Sequence, residues 1–184
     1  MMKRLSFNRI LLLFIISLFS FSCSSDLDFN QANDLKLEPI FVANLAYFEI
    51  PAHEFVTNGI EQNLTVGSPT VDVFNDAFFK KHLTRADLSF EIDNTINRGY
   101  TLDIILQDRN NQPLYTISFN IPAYTGVANS ITKTEIFENG NLDLLKSTTK
   151  MTFVLKMLAG PPLSENSIGS FKLRSDVTAY LIVQ

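Results

Sequence analysis

The strongest constraint on the fold of this chain is a two-residue alternation that recurs through its second half. Leu88, Phe90 and Ile92 alternate with Ser89, Glu91 and Asp93, and Tyr100, Leu102, Ile104 and Leu106 alternate with Thr101, Asp103 and Gln107. Tyr115, Ile117, Phe119 and Ile121 repeat the pattern, as do Met151, Phe153, Leu155 and Met157. Phe171, Leu173, Val177, Ala179, Leu181 and Val183 carry it almost to the C-terminus. Successive side chains of a strand point to opposite faces, so each segment has one apolar and one polar face. Such segments, joined by short polar turns like Asp108–Pro113, predict an all-β antiparallel β-sandwich, immunoglobulin-like or fibronectin-like in general architecture. With one Cys and no Trp, the chain lacks the Cys-Trp-Cys hallmark of true immunoglobulin domains and any multi-cysteine zinc motif.

The middle of the chain is less regular. Ile40–Ile50 (IFVANLAYFEI) is almost continuously apolar, as is a strand buried on both faces, although period alone does not separate it from a helix. His53–Thr57 and Gln62–Val66 suggest a short hairpin, and Val71–Phe74 another brief strand. Two short helices are expected: Asp76–Leu83 capped by Asn75, and Leu142–Ser147 capped by Asn141.

The first residues are of a different kind. Lys3, Arg4 and Arg9 form a basic leader, Ile10–Phe21 is apolar apart from Ser17 and Ser20, and Ser22 precedes the single Cys23. This is the pattern of a secretory signal, and the apolar run falls short of the roughly 20 residues of a membrane-spanning helix. Ser20-Phe21-Ser22-Cys23 resembles the lipobox of bacterial lipoproteins, with Ser20 where that family usually has Leu. Ser24-Ser25-Asp26-Leu27-Asp28 is similar to the acidic stretch that follows the Cys in surface-exported lipoproteins of the Bacteroidota. The resemblance implies acylation of Cys23, for instance by palmitate, and attachment to the outer membrane on its periplasmic face or at the cell surface. Three parts are therefore expected: a signal peptide over 1–22, an acidic flexible tether over 23–38, and a single β-sandwich domain over 39–184. As flexible coil the tether would span roughly 20 Å.

Loss of the leader sharpens the charge. The whole chain carries 15 basic and 19 acidic residues; without Lys3, Arg4 and Arg9, 12 remain against 19, a net charge of −7. Nucleic-acid binding requires a surplus of Lys and Arg, so no nucleic-acid partner is expected.

No catalytic constellation emerges. Of the two histidines, His53 precedes Glu54, but Thr57 stands where a zincin helix has its second His, and His82 has no partner in sequence. Ser147-Thr148-Thr149-Lys150 matches Ser-x-x-Lys without its companion motifs, and there is no Gly-x-Ser-x-Gly. Glu49, Glu54, Glu61, Glu91 and Asp103 are the carboxylates available for glycoside hydrolysis, but sequence does not pair them. Asp26-x-Asp28-x-Asn30-x-x-x-Asp34 spaces oxygens like a calcium loop, with Gln31 where the loop needs Gly. Lacking Trp, a sugar-binding face would depend on Tyr47, Tyr100, Tyr115, Tyr124 and Tyr180. No metal, cofactor or enzymatic activity is expected.

Phe78-Phe79-Lys80-Lys81 is the one segment that suggests contact with a partner or a membrane. On a helix the adjacent aromatics diverge by about 100°, so one points outward beside two lysines. The expected function is that of a membrane-anchored, non-catalytic sandwich binding a protein or envelope component. The alternative is a secreted carboxylate-dependent glycoside hydrolase or a glycan-binding accessory module.

Overall fold

The computed structural model describes residues 36–184 except 63, 67–71 and 128. Cys23, the signal segment, the calcium-like spacing and all but the last residues of the expected tether lie outside the described residues.

Eight strands build two sheets: β1 (Ile40–Pro51), β4 (Leu64–Val66), β5 (Leu83–Asn94), β6 (Tyr100–Gln107), β7 (Pro113–Ile121), β8 (Ser130–Glu138), β9 (Lys150–Met157) and β10 (Ser170–Leu181). The pairs β1:β10, β4:β9, β5:β8 and β6:β7 are all antiparallel and nest inside one another along the chain. The chain is thus one long hairpin folded about the β6–β7 turn, and rolling it brings β10 against β5 and β9 against β6. The sheets read β1-β10-β5-β8 and β4-β9-β6-β7, the winding of an eight-stranded jelly roll. The two-layer antiparallel sandwich is the one the alternation predicts. Alternation sets faces but not neighbours, and the neighbours follow jelly-roll rather than immunoglobulin order.

The predicted apolar rows meet between the sheets. Leu88, Phe90 and Ile92 of β5, Leu102, Ile104 and Leu106 of β6, and Phe153 and Leu155 of β9 are all buried. Aromatic pairs cross the gap: Phe48 with Phe153, Tyr100 with Phe171, Phe90 with Phe119 and Tyr115 with Phe137, at 5.6, 5.6, 5.7 and 5.3 Å between centroids. Tilted and edge-on rings of this kind add to the gain from burying their area.

Shorter pieces depart from the sequence expectation in instructive ways. The hairpin is only β2 (Val56–Thr57) and β3 (Ile60–Glu61) around Asn58-Gly59, both at positive φ (52° and 73°), which the tight primed turn requires. Residues 64–66 do not return to it but join β9. The strand expected over Val71–Phe74 is a 3-10 helix at Asp72–Asn75. Helix α1 (Ala77–His82) starts one residue late, because Asp76 and not Asn75 accepts from the N–H groups of Phe78 and Phe79. Helix α2 (Leu142–Ser147) lies where expected, without a side-chain cap.

The stretch 40–51 is the expected strand but not a doubly buried one. It is an edge strand, paired with β10 alone among the described residues, and the opposing edge strand β4 covers Leu64–Val66 of them. Ile40, Phe41 and Val42 are 59%, 49% and 70% exposed in consequence.

Candidate partner-docking edge

A jelly roll has four sheet edges, and unprotected edges recruit foreign strands. Three are blunted here. Among the described residues, β4 covers Leu64–Val66 alone. β7 opens on Pro113 and turns Thr116, Ser118 and Asn120 to solvent. β8 carries Lys133 and Glu135 on the row that also holds buried Phe137. Their ion pair closes at 3.2 Å, Lys133 sits 5.5 Å from the Phe119 ring centre, and the Tyr115 hydroxyl donates to Glu135. That hydrogen bond raises the Tyr115 pKa. Charges on the inner row of an edge strand disfavour pairing with a second chain.

Among the described residues, β1 has no such protection over its first half. Its outward row presents Ile40, Val42 and Tyr47, the last 64% exposed. Between Asn44 and Ala46 the register against β10 shifts by a bulge, filled from the neighbouring strand. The Ser175 hydroxyl accepts from the Ala46 N–H at 3.0 Å and donates to the Ala46 carbonyl at 3.1 Å, which explains a buried Ser on an otherwise apolar row. Beside the bulge a notch of about 320 Å³ is lined by Asn44, Leu45, Ala46, Tyr47, Arg174 and Ser175. Tyr and Arg around a small concavity are the residue types that anchor protein interfaces.

The Phe78–Lys81 segment joins this surface at one corner. Phe79 is partly buried against the core, 6.4 Å from Phe41 of β1, whereas Phe78 is 46% exposed and packs 4.8 Å from His82. Lys80 and Lys81 are exposed, with no ion pair among the described residues. The structure thus brings together Phe41, Phe78, Phe79 and His82, which sequence did not connect.

The remaining sequence candidates are dispersed. His53 is exposed in a 3-10 helix, and His82 Nδ1 lies 2.9 Å from the Ile182 carbonyl oxygen. On the outer face of the β1 sheet, Glu49 pairs with Lys172 at 3.2 Å and Glu91 with Arg174 at 3.3 Å. Hydrogen bonds from Ser170 and then Lys172 hold the Glu49 carboxyl below its ordinary pKa. Asp103 accepts from Ser118 at 2.7 Å and lies 3.6 Å from Lys156, while Glu54 is exposed. Lys150 donates to Asn111 Oδ1 at 3.2 Å. Of the tyrosines, Tyr100 is core and burial pushes its phenol pKa up; Tyr180 stacks under Arg85. Among the described residues no three His, Cys, Asp or Glu side chains gather as for a metal, and no helix is long and apolar enough to cross a membrane.

Sequence reasoning missed one buried polar cluster at the far end of the sandwich. Arg98, 7% exposed, donates to the carbonyls of Leu158, Gly160 and Pro161 and pairs with Glu61 at 3.0 Å. The other Glu61 oxygen accepts from the Leu163 N–H at 2.7 Å. Asn94 donates to the carbonyls of Arg98 and Pro122, both at 2.8 Å, and accepts from the Ile96 N–H. The cluster binds three loops and the β2–β3 hairpin into one end-cap; its polar atoms are turned on the backbone, not on open space.

No family model and no curated protein matches the chain. Among solved structures it is similar to the VP2 subviral particle of infectious bursal disease virus, at TM-score 0.44 and 13% identity over 78% of this chain and 32% of that one. It is also similar to a protein from Parabacteroides distasonis, at TM-score 0.42 and 12% identity over 77% of this chain and 38% of that one. The chain spans about a third of the length of either structure.

Proposed function

We propose that the chain is a lipid-anchored envelope protein. It is cleaved before Cys23, acylated on that residue, held at the outer membrane, and binds a protein partner through the free edge of β1, without catalysis. The observation that supports the binding mode best is the contrast among the four edges. Three are short, polar or charged, while β1 exposes Ile40, Val42 and Tyr47 beside a bulge notch. A partner strand laid along β1 would take its backbone groups as hydrogen-bond partners, and Val42 and Tyr47 would supply side-chain specificity. Of the carboxylates a hydrolase could use, Glu49, Glu61, Glu91 and Asp103 pair with cations or hydroxyls and Glu54 is exposed in a 3-10 helix.

Two results test the two halves of the proposal. Cys23→Ala is expected to abolish incorporation of labelled palmitate, and unchanged labelling would remove the anchor. Affinity capture from crosslinked cells is expected to recover one discrete envelope protein, which a Val42→Lys, Tyr47→Lys variant loses. Equal recovery by the folded variant would rule out the β1 edge.

A further inference from the structure

The corner formed by α1 and the start of β1 is placed where the proposed anchor meets the domain. Leu37 pairs with Val183 by reciprocal backbone bonds of 2.9 Å, and the next residue back, Ile182, donates its N–H to the carbonyl of His82, the last residue of α1, at 2.8 Å. The Leu181 N–H reaches the Pro39 carbonyl at 3.1 Å. The point at which the chain arrives from Cys23 is therefore tied to α1 through a single strand. Lys36 follows Cys23 by only thirteen positions, a contour of at most about 45 Å.

What this corner exposes differs from the rest of the domain. The chain without its leader carries a net charge of −7, yet α1 leaves Lys80 and Lys81 exposed with no ion pair among the described residues; Lys81, three positions after Phe78, shares its side of the helix, and Lys80 lies on the other flank of the exposed surface. The nearest acid on the same element, Asp76, is engaged by the N–H groups of Phe78 and Phe79 as their cap. Phe41 extends the apolar surface beside Phe79. An exposed aromatic ring on the same short helix as two exposed lysines matches a membrane interface, where the ring sits at headgroup level and the ammonium groups meet lipid phosphates.

The geometry points to α1 as a membrane-contact element: Phe78, Lys80 and Lys81 dock onto an anionic lipid surface and fix the orientation of the anchored domain. The inference rests on the anchoring of Cys23, so its test must not depend on acylation in the cell. The composition allows that. Cys23 is the only cysteine, so residues 23–184, which contain the whole described core, can be coupled to a maleimide lipid in vesicles. The chain has no Trp, so Phe78→Trp introduces a single indole reporter.

On vesicles containing phosphatidylglycerol, the emission of the Phe78→Trp variant is expected to shift to the blue and to be quenched by brominated acyl chains. Purely zwitterionic vesicles should weaken the contact about thirtyfold, and adding Lys80→Glu and Lys81→Glu on the anionic vesicles by at least as much, since each of the two lysines near an anionic surface contributes a factor of about five. A second reporter, Val127→Trp in the otherwise unchanged chain, lies in the loop entering β8 at the opposite end of the sheet and should stay unquenched. Solvent-like emission from the anchored Phe78→Trp chain would overturn the inference, as would equal quenching on both lipid types or in the glutamate variant. Shielding of that indole only when an envelope protein is added, without quenching by lipid, would assign the corner to that protein and overturn it too. None of these outcomes bears on palmitate labelling, which tests the anchor alone.

Discussion

Replacing Arg98 with Met should lower the stability of the domain by about 2–3 kcal/mol, because a buried guanidinium loses its hydrogen bonds to acceptors that keep part of their access to water. The guanidinium holds three carbonyls of the loop after β9 and one oxygen of Glu61, and it is almost fully enclosed. Met fills much the same volume but offers no donor, so the carbonyls of Leu158, Gly160 and Pro161 and the Glu61 carboxylate lose a charged partner and regain only what water reaches them at the exposed rim of the loop. At roughly 2–4 °C per kcal/mol for a domain of this size, the melting temperature should fall by about 4–12 °C. Because Glu61 also accepts from the Leu163 N–H, Glu61→Ala should be costly as well, and the double variant should lose less than the sum of the two. A cost for Arg98→Met within about 1 kcal/mol of zero, or strict additivity, would show that the cluster does not act as a unit.

A second large effect is expected at Gly169, immediately before β10. Its φ of +100° is one that residues with a Cβ rarely adopt, and a Cβ there would stand 2.3 Å from the backbone oxygen of Thr95. The neighbourhood leaves little room to relax. Gly169 accepts from the Ala52 N–H at 2.9 Å, and Thr95 and Ser170 are joined by N–H and hydroxyl bonds in both directions. Gly169→Ala should therefore combine backbone strain with overpacking, each about 1–3 kcal/mol, for a total of roughly 3–5 kcal/mol in denaturant unfolding. Gly140→Ala is the control, since a Cβ at Gly140 meets nothing within 4 Å. Similar costs for the two substitutions would contradict the steric reading.

The sandwich was legible in the sequence because its central strands have one wet face and one dry face, and period two follows directly. Strand β8 was not, because its inner row holds Lys133 and Glu135 between Ile131 and Phe137, which hides the alternation that protects the edge. β1 misled in the opposite sense. A continuous apolar run reads as a doubly buried strand, whereas here the run lies at an edge and its exposure is the feature of interest. A trace of that arrangement was present in β10, whose apolar row skips Ser175, the residue that fills the β1 bulge. The Phe78–Lys81 segment was visible as a contact candidate, but its place beside Phe41 and the arriving chain depends on long-range pairing through β10. The Arg98 cluster left no local signal, because its partners are mostly backbone carbonyls some 60 residues away.

Photo-crosslinking in living cells tests the β1 edge most directly. With a photoreactive side chain at Val42, irradiation should yield one discrete adduct with an envelope protein, while the same group at Asn120 on the polar β7 edge should yield none. No adduct from Val42, or the same adducts from both positions, would contradict a partner-docking role for β1.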